Sequence, residues 1–374
     1  MIYFDNSATT LQKPKEVFET LNKLSQSAGN SGRSAHKPSM LSSQTIYQTR
    51  QKICEFFNFD KPENVVFTYN ATYALNLAIK GLITEKCTVL TSSYEHNSVI
   101  RPLNDLMGKG VVTKIVKGKL YDHKDFIDKF EKSIDNETKF AVINHVSNVF
   151  GYKLPIEEID HICYKNGIKL ILDVSQSAGI INIDMRKFKS VCAVCMPAHK
   201  SLYGVMGLGV LLLNDDSIKS IIQGGTGSMS SDVFQPDFMP DMLESGTPNI
   251  PAIGALYYGI DYLETLNNLE VKIFNLAKYF SKELDKFSDT KVFFNDDILT
   301  QAGVVSFINE NFDNEVLSSR LAKYDICTRA GYHCSPLAHE SAKVCGTIRA
   351  SFSSFNTIEE VDKFMEIYKK IISE

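Results

Sequence analysis

The chain lacks tryptophan altogether, so its 23 Phe and 16 Tyr must supply all aromatic packing and any stacking on a bound ring. It also lacks a charge excess of either sign: 40 Lys and Arg stand against 44 Asp and Glu, a formal charge of −4. A nucleic-acid-binding protein usually gathers a basic surplus on one face, so this balance argues against that class. No run approaches a membrane span; the longest nearly uncharged apolar segment is Val205 to Leu213. The opening Met1-Ile2-Tyr3-Phe4-Asp5-Asn6 has neither the basic start nor the apolar stretch of a secretory leader. A soluble, cytoplasmic protein is expected, without nucleic-acid or membrane partners. Disulfides are not expected either: eight cysteines are scattered over 374 residues, a chain large enough to build a core without staples. They read as reduced thiols, and any unusually placed one becomes interesting.

What is present is ordinary globular composition, 44% hydrophobic and 22% charged. At roughly 150 residues per domain, two to three domains are expected. Apolar runs of strand length recur at 64–68, 87–92, 139–144, 169–172 and 191–196, separated by helical patterns such as 71–81 and 155–166. Strands alternating with helices predict a mostly parallel sheet covered on both faces, with ligands bound beyond the carboxyl ends of the strands. After about residue 255 the pattern changes to long helices at 251–287 and 359–373, with β-like runs at 291–294 and 304–308 between them. The expected division is a large domain over 15–255 and a smaller α+β domain formed by 1–14 with 256–374. The stretch 224–232, rich in Ser and Gly, reads as a long loop.

Candidate chemistry clusters at the expected strand ends. Leu170-Ile171-Leu172-Asp173 is an apolar strand ending in a carboxylate, and Met196-Pro197-Ala198-His199-Lys200 follows a second such strand. Alone, Asp173 could be a capping residue and Lys200 a surface lysine. Together, a strand-end Asp that pairs with a pyridinium nitrogen and a desolvated lysine that forms an imine are the two groups a pyridoxal phosphate enzyme requires. Asn70-Ala71-Thr72 opens a helix, which makes an anion site or simply an N-cap. His96 could stack on a ring and move protons, or be a satisfied structural histidine. Cys192-x-x-Cys195 has redox spacing but lies inside an expected buried strand, where packed thiols are the better reading. Gly224-Gly225-Thr226-Gly227-Ser228 lacks the Lys-Ser/Thr ending of a phosphate-binding loop.

The set Thr72, His96, Asn148, Asp173, Gln176 and His199-Lys200 resembles the class V aminotransferase group of fold-type I pyridoxal phosphate enzymes, and within it the cysteine desulfurases. The likeness runs from Tyr3-Phe4-Asp5-Asn6-Ser7-Ala8-Thr9-Thr10, through Glu244-Ser245-Gly246-Thr247-Pro248-Asn249, to Ile348-Arg349-Ala350-Ser351-Phe352. Arg329-Ala330-Gly331-Tyr332-His333-Cys334-Ser335-Pro336 resembles the short cysteine loop of the group II branch, which includes enzymes of sulfur mobilisation for iron-sulfur clusters and selenocysteine lyases.

The resemblance implies an α/β fold with a mostly parallel seven-stranded sheet and a smaller α+β domain. It implies pyridoxal 5'-phosphate on Lys200, with Asp173 at the ring nitrogen and Gln176 and Asn148 at the ring oxygen or the substrate. It gives Thr72 and His199 to the phosphate and His96 to the ring face. Thr247 would reach the phosphate of a neighbouring subunit, which implies a homodimer. Arg349, Asn148, Arg33 and Arg329 fall to the substrate side, and a guanidinium fork suits the α-carboxylate of L-cysteine. Cys334 would take the sulfur as a persulfide, leaving alanine. Arg329 and His333 are near enough in sequence to favour its thiolate over the thiol, whose free pKa is about 8.5. A short loop implies an acceptor protein that reaches into the site. Two departures stand out: no Gly-Pro turn follows Lys200, and Ala71 and Tyr73 flank Thr72 where hydroxyl or acidic residues are frequent. Selenocysteine lyase, cysteine sulfinate desulfinase or another class V enzyme are the alternatives; a sulfur carrier without catalysis is disfavoured by Lys200 and Asp173.

Overall fold

A computed structural model describes residues 1–32 and 34–373 of the chain, so Arg33 lies outside the described residues. The chain opens with β1 (Ile2–Tyr3), α1 (Lys15–Ser27) and α2 (Lys37–Phe57). Alternation follows: β2 (Val65–Thr68), α3 (Ala71–Leu82), β3 (Thr88–Ser92), α4 (Asn97–Met107), β4 (Val112–Val116), α5 (His123–Ser133), β5 (Thr138–Asn144), α6 (Ile156–Lys165), β6 (Lys169–Asp173), β7 (Val191–Pro197) and β8 (Gly209–Leu213). The last third holds α7 (Ile250–Glu264), α8 (Leu269–Leu284), β9 (Thr290–Phe293), β10 (Val304–Asn309), α9 (Asn314–Ala322), β11 (Ile326–Cys327), β12 (Arg329–Gly331), α10 (Pro336–Ala342), β13 (Thr347–Ser351) and α11 (Ile358–Ile372).

Seven strands form one sheet in the order β2-β8-β7-β6-β5-β3-β4. The five strands from β4 to β7 run parallel, and β8 turns antiparallel to both β7 and β2. The continuous apolar sequences of β5 to β8 follow from burial on both faces. In the edge strand β4, Val112-Thr113-Lys114-Ile115-Val116, only Val116 is fully buried, which is why no apolar run announces it. Chain order reverses around β3, with β4 added on one side and β5 on the other, so a crevice opens beyond the carboxyl ends of β3 and β5.

The C-terminal strands make a four-stranded antiparallel sheet, β12-β13-β10-β9, and β1 pairs parallel with β11 beside it. Without tryptophan, the anchor of the N-terminal strand is Phe4, whose ring meets Phe352 at 4.9 Å and Phe280 at 5.8 Å, both edge-on. The expected continuous helix over 251–287 is instead two helices, because Asn268 adopts a left-handed conformation, φ 53°, between α7 and α8. The boundary expected at 255/256 falls inside α7, which packs on α1 and α2.

Candidate active site

Four loops leaving β3, β5, β6 and β7 converge on one cavity of about 180 Å³. Thr72, His96, Asn148, Asp173, Gln176, His199 and Lys200 all line it, although they span 128 positions of sequence, from 72 to 200. The fold therefore brings together every residue expected to hold a cofactor in one chain except Thr247.

Each is positioned by identifiable local physics. Asp173 ends β6, nearly fully buried, and accepts the Ser175 N–H at 2.9 Å. Asn70 caps α3 by accepting from Tyr73 N, which leaves the first turn of that helix, with Thr72, facing the cavity. The close packing there requires Gly209: a Cβ at that position would lie 2.4 Å from the carbonyl carbon of Asn70. Thr72 Oγ1 is 2.7 Å from Ser98 Oγ, and Ser98 Oγ is 2.9 Å from His96 Nδ1, so one hydroxyl joins the two. His96 caps α4 through the same Nδ1, which accepts from Ser98 N. Burial, reinforced by Lys200, holds its imidazole down at about 4, so it is neutral at pH 7.

His199 is likewise neutral, pushed to about 4 by burial with help from Lys200 and Lys13. Its Nδ1 is buried with no partner among the described residues. Its carbonyl is over-subscribed, accepting from Thr10 N, Thr9 Oγ1 and Lys13 Nζ. These bonds tie the N-terminal segment to the turn that carries Lys200. The missing Gly-Pro turn is replaced by a closed loop in which Gly204 N donates to Ala198 O at 2.8 Å and Tyr203 takes φ 55°. Desolvation, with Arg349 and Arg329, pulls the Lys200 amine down to about 8 against the opposing pull of Asp173 and Asp5. Gln176 faces the cavity with its amide donating to Ser7 O.

The other expected residues lie on the C-terminal sheet. Arg349, on β13, is buried; its Nη1 donates to Asn148 O at 2.9 Å, its Nη2 to Asp5 Oδ1 at 2.7 Å, and its Nε has no partner among the described residues. Arg329 is its direct cross-strand neighbour on β12 and is half exposed, with Nη1 4.0 Å from Asp5 Oδ2. Two like charges placed opposite one another are tolerated because Asp5 stands between them. Cys334 is exposed, in a turn where His333 and Cys334 both take left-handed backbone, φ 48° and 58°. The turn is tied down on every side: Asn97 N donates to Cys334 O, Ser335 N to Tyr332 O, Asn148 Nδ2 to His333 O, and Ser335 Oγ to Asn148 Oδ1.

One expectation fails. His333 cannot lend positive charge to Cys334, because burial, with Arg349 and His339 beside it, pushes its imidazole to about 2. It is a neutral structural residue whose Nε2 lies 3.0 Å from Thr347 O. Thr247 does not line the Lys200 cavity; it lines a second one of about 900 Å³ with Arg50, Tyr69, Gly225 and Glu244. The two cavities flank the start of α3, Tyr69 and Tyr73 facing the large one and Asn70 to Thr72 the small one. Of the Gly224 to Ser228 segment, Gly225 to Ser228 line the large cavity, and the segment is pinned by Gly246 N donating to Gly225 O at 2.7 Å. Cys192 and Cys195 are buried core thiols of β7, Cys192 Sγ contacting Leu170 O. Among the described residues no three His, Cys, Asp or Glu side chains gather as metal ligands, and no helix is long and apolar enough to cross a membrane.

Reading the sequence for strand-end groups missed four residues that shape the site. Asp5 holds Arg349, Ser335 and Asn97 fix the Cys334 turn, and Glu95 lies fully buried behind His96 with its carboxyl pushed up to about 8 by burial. Asp5 and Ser335, like their partners Arg349 and Asn148, stand inside motifs that the sequence displays; the pairings themselves, across 344 and 187 positions, are not displayed there.

A strand-end lysine and aspartate over a helix-capped cavity define a class, and the model of the class-V aminotransferase family matches residues 2–364. The chain belongs to that family, and its architecture is the fold-type I arrangement. It is 30% identical to a probable cysteine desulfurase of Pyrococcus abyssi over all of this chain and 94% of that one. It is 28% identical to a probable cysteine desulfurase of Synechocystis over 98% of this chain and 90% of that one. Among solved structures, the apo cysteine desulfurase of Thermococcus onnurineus superposes with a TM-score of 0.93 at 29% identity, covering all of this chain and 94% of that chain.

Proposed function

We propose that this protein is a pyridoxal 5'-phosphate-dependent cysteine desulfurase that converts L-cysteine to L-alanine and takes the sulfur on Cys334. The observation that carries the reading is Asn148: it lines the cavity of Lys200 and Asp173 and bonds to both neighbours of the exposed Cys334. A cofactor-type lysine and a solvent-reaching thiol thus meet across one side chain.

The residues fit the cofactor. An amine with a pKa near 8, a buried strand-end carboxylate, a helix N-terminus with a hydroxyl, and a buried histidine nitrogen without a partner among the described residues match an aldehyde, a ring nitrogen and a phosphate. Lys200 would hold it, Asp173 would face the ring nitrogen, Thr72 and His199 the phosphate, Gln176 and the second Asn148 N–H the ring oxygen, and His96 the ring face. Bound there, pyridoxal phosphate supplies an electron sink for the pair left on the substrate α-carbon. Arg349, whose buried Nε–H has no partner among the described residues, would orient the substrate carboxylate, with Arg329 at the outer edge. The Lys200 amine moves the α-proton. The Cys334 thiolate then attacks the substrate sulfur: an S–S bond forms and the substrate C–S bond breaks. The electron pair of that bond passes to the substrate carbon, which takes up a proton and leaves as the methyl group of alanine.

We propose a large domain, 15–255, and a smaller one, 1–14 with 256–374, with the chain passing from one to the other within α7. Thr247, away from the Lys200 cavity of its own chain, suits a homodimer in which it serves a second copy. The exposed Cys334 suits hand-off to a sulfur-acceptor protein, as in iron-sulfur cluster assembly, and the free thiols suit the cytoplasm. The test is mass spectrometry of the protein, loaded with pyridoxal phosphate and exposed to L-cysteine. A gain of one sulfur on Cys334, with alanine released, is expected; an unmodified Cys334 overturns the reading.

A further inference from the structure

Asn148 and Ser335 form more than a cavity wall. Asn148 is nearly fully buried and Ser335 completely so, and their side chains meet at 2.7 Å. The amide of Asn148 reaches His333 O at 2.8 Å, so a single side chain grips the residues on both sides of Cys334. The same residue's carbonyl accepts from Arg349 Nη1 at 2.9 Å, and Asp5 holds Nη2 of that arginine. Between the two grips, His333 and Cys334 occupy left-handed backbone, a conformation that non-glycine residues hold only when their surroundings enforce it. Ser335 does not line the Lys200 cavity, so its hydroxyl has no evident task other than this bond.

We propose that the Asn148–Ser335 pair is a positioning clamp that fixes the Cys334 turn relative to Arg349, and so sets the thiol in register with a substrate held by its carboxylate. The catalytic meaning of the clamp rests on the desulfurase reading above; its existence does not. A reacting atom displaced by an ångström can lose much of its rate, whereas a reaction that needs no thiol attack is indifferent to the turn.

The experiment compares wild type with Ser335→Ala, using the holoenzyme, L-cysteine with dithiothreitol as reductant, and L-cysteine sulfinate as a substrate whose group leaves without thiol attack. The expected result is a fall of about tenfold or more in kcat on cysteine, with KM and sulfinate turnover within about twofold of wild type. Amide exchange in the full chain, read on the peptide covering residues 329–337, should quicken by about fivefold or more as the turn loosens, with other peptides unchanged. In an Asn148→Ala background, Ser335→Ala should add little to either loss, because the bond is already gone. Unchanged exchange, unchanged cysteine turnover, an equal fall on both substrates, or a full Ser335→Ala penalty in the Asn148→Ala background would each overturn the clamp. If wild type itself neither releases alanine nor gains sulfur, the desulfurase reading fails, and exchange in the single and double variants alone decides the clamp.

Discussion

In the reaction proposed above, Lys200 and Cys334 would act from opposite physical conditions. Lys200 follows a fully buried strand at the bottom of the sheet's crevice, where loss of hydration pulls its amine down to about 8. Cys334 stands in solvent on a turn of strained backbone, held by hydrogen bonds from Asn97 and Asn148 of two other segments of chain. In that reading the lysine needs the sheet to exclude water around it, and the thiol needs a rigid mount and open access, since its sulfur would leave with an acceptor. The difference teaches that burial makes one nucleophile available and exposure makes the other useful.

Removing the buried member should have the largest effect. Lys200→Ala is expected to cut alanine release from L-cysteine by at least about 10³-fold, and to abolish the visible absorbance of the covalently held cofactor. An amino-acid assay and a spectrum check both. Removing the exposed member should be selective. Cys334→Ser is expected to lose about a hundredfold on cysteine but less than about threefold on cysteine sulfinate, since only the former needs the thiol. Equal losses on the two substrates would erase the contrast.

The pH dependence probes the buried member alone. Because its pKa lies near 8, the Lys200 amine is mostly protonated and inert below that pH, and its reactive neutral fraction rises about tenfold per unit as pH 8 is approached from below. The rate at which cofactor-free protein regains visible absorbance with pyridoxal phosphate should climb from pH 6 to 8 and flatten by pH 9. A climb continuing to pH 10 would mean an ordinary, hydrated lysine. The smallest effect is expected at Cys345, the other exposed thiol. Cys345→Ser should leave cysteine turnover within about twofold, as surface substitutions generally do, showing that exposure without the mount is not enough.

Much of this was legible in the sequence. The strand-end positions of Asp173 and Lys200 follow from apolar runs that stop at a polar residue, and the cap at Asn70 from the residue types before a helical pattern. Less legible were features made by long-range packing. The edge strand β4 hides because only one of its five residues is fully buried. The break at Asn268 overrides an unbroken helical pattern with one left-handed residue. His333 reads as a cation beside Cys334 until burial between Arg349 and His339 makes it neutral.

By itself the sequence determined the alternation of elements, the motif residues and the lone cysteine in a polar loop, because hydrophobic periodicity and side-chain chemistry are local properties. Only the tertiary structure decided that Asp5 pairs with Arg349 across 344 positions, and that Asn148 grips both sides of Cys334 from 185 and 187 positions away. It alone put Thr247 outside the cavity that its chain forms around Lys200. Hydrogen bonds and desolvation depend on which atoms lie within a few ångströms, and in a sheet that reorders its strands that distance is unrelated to separation along the chain.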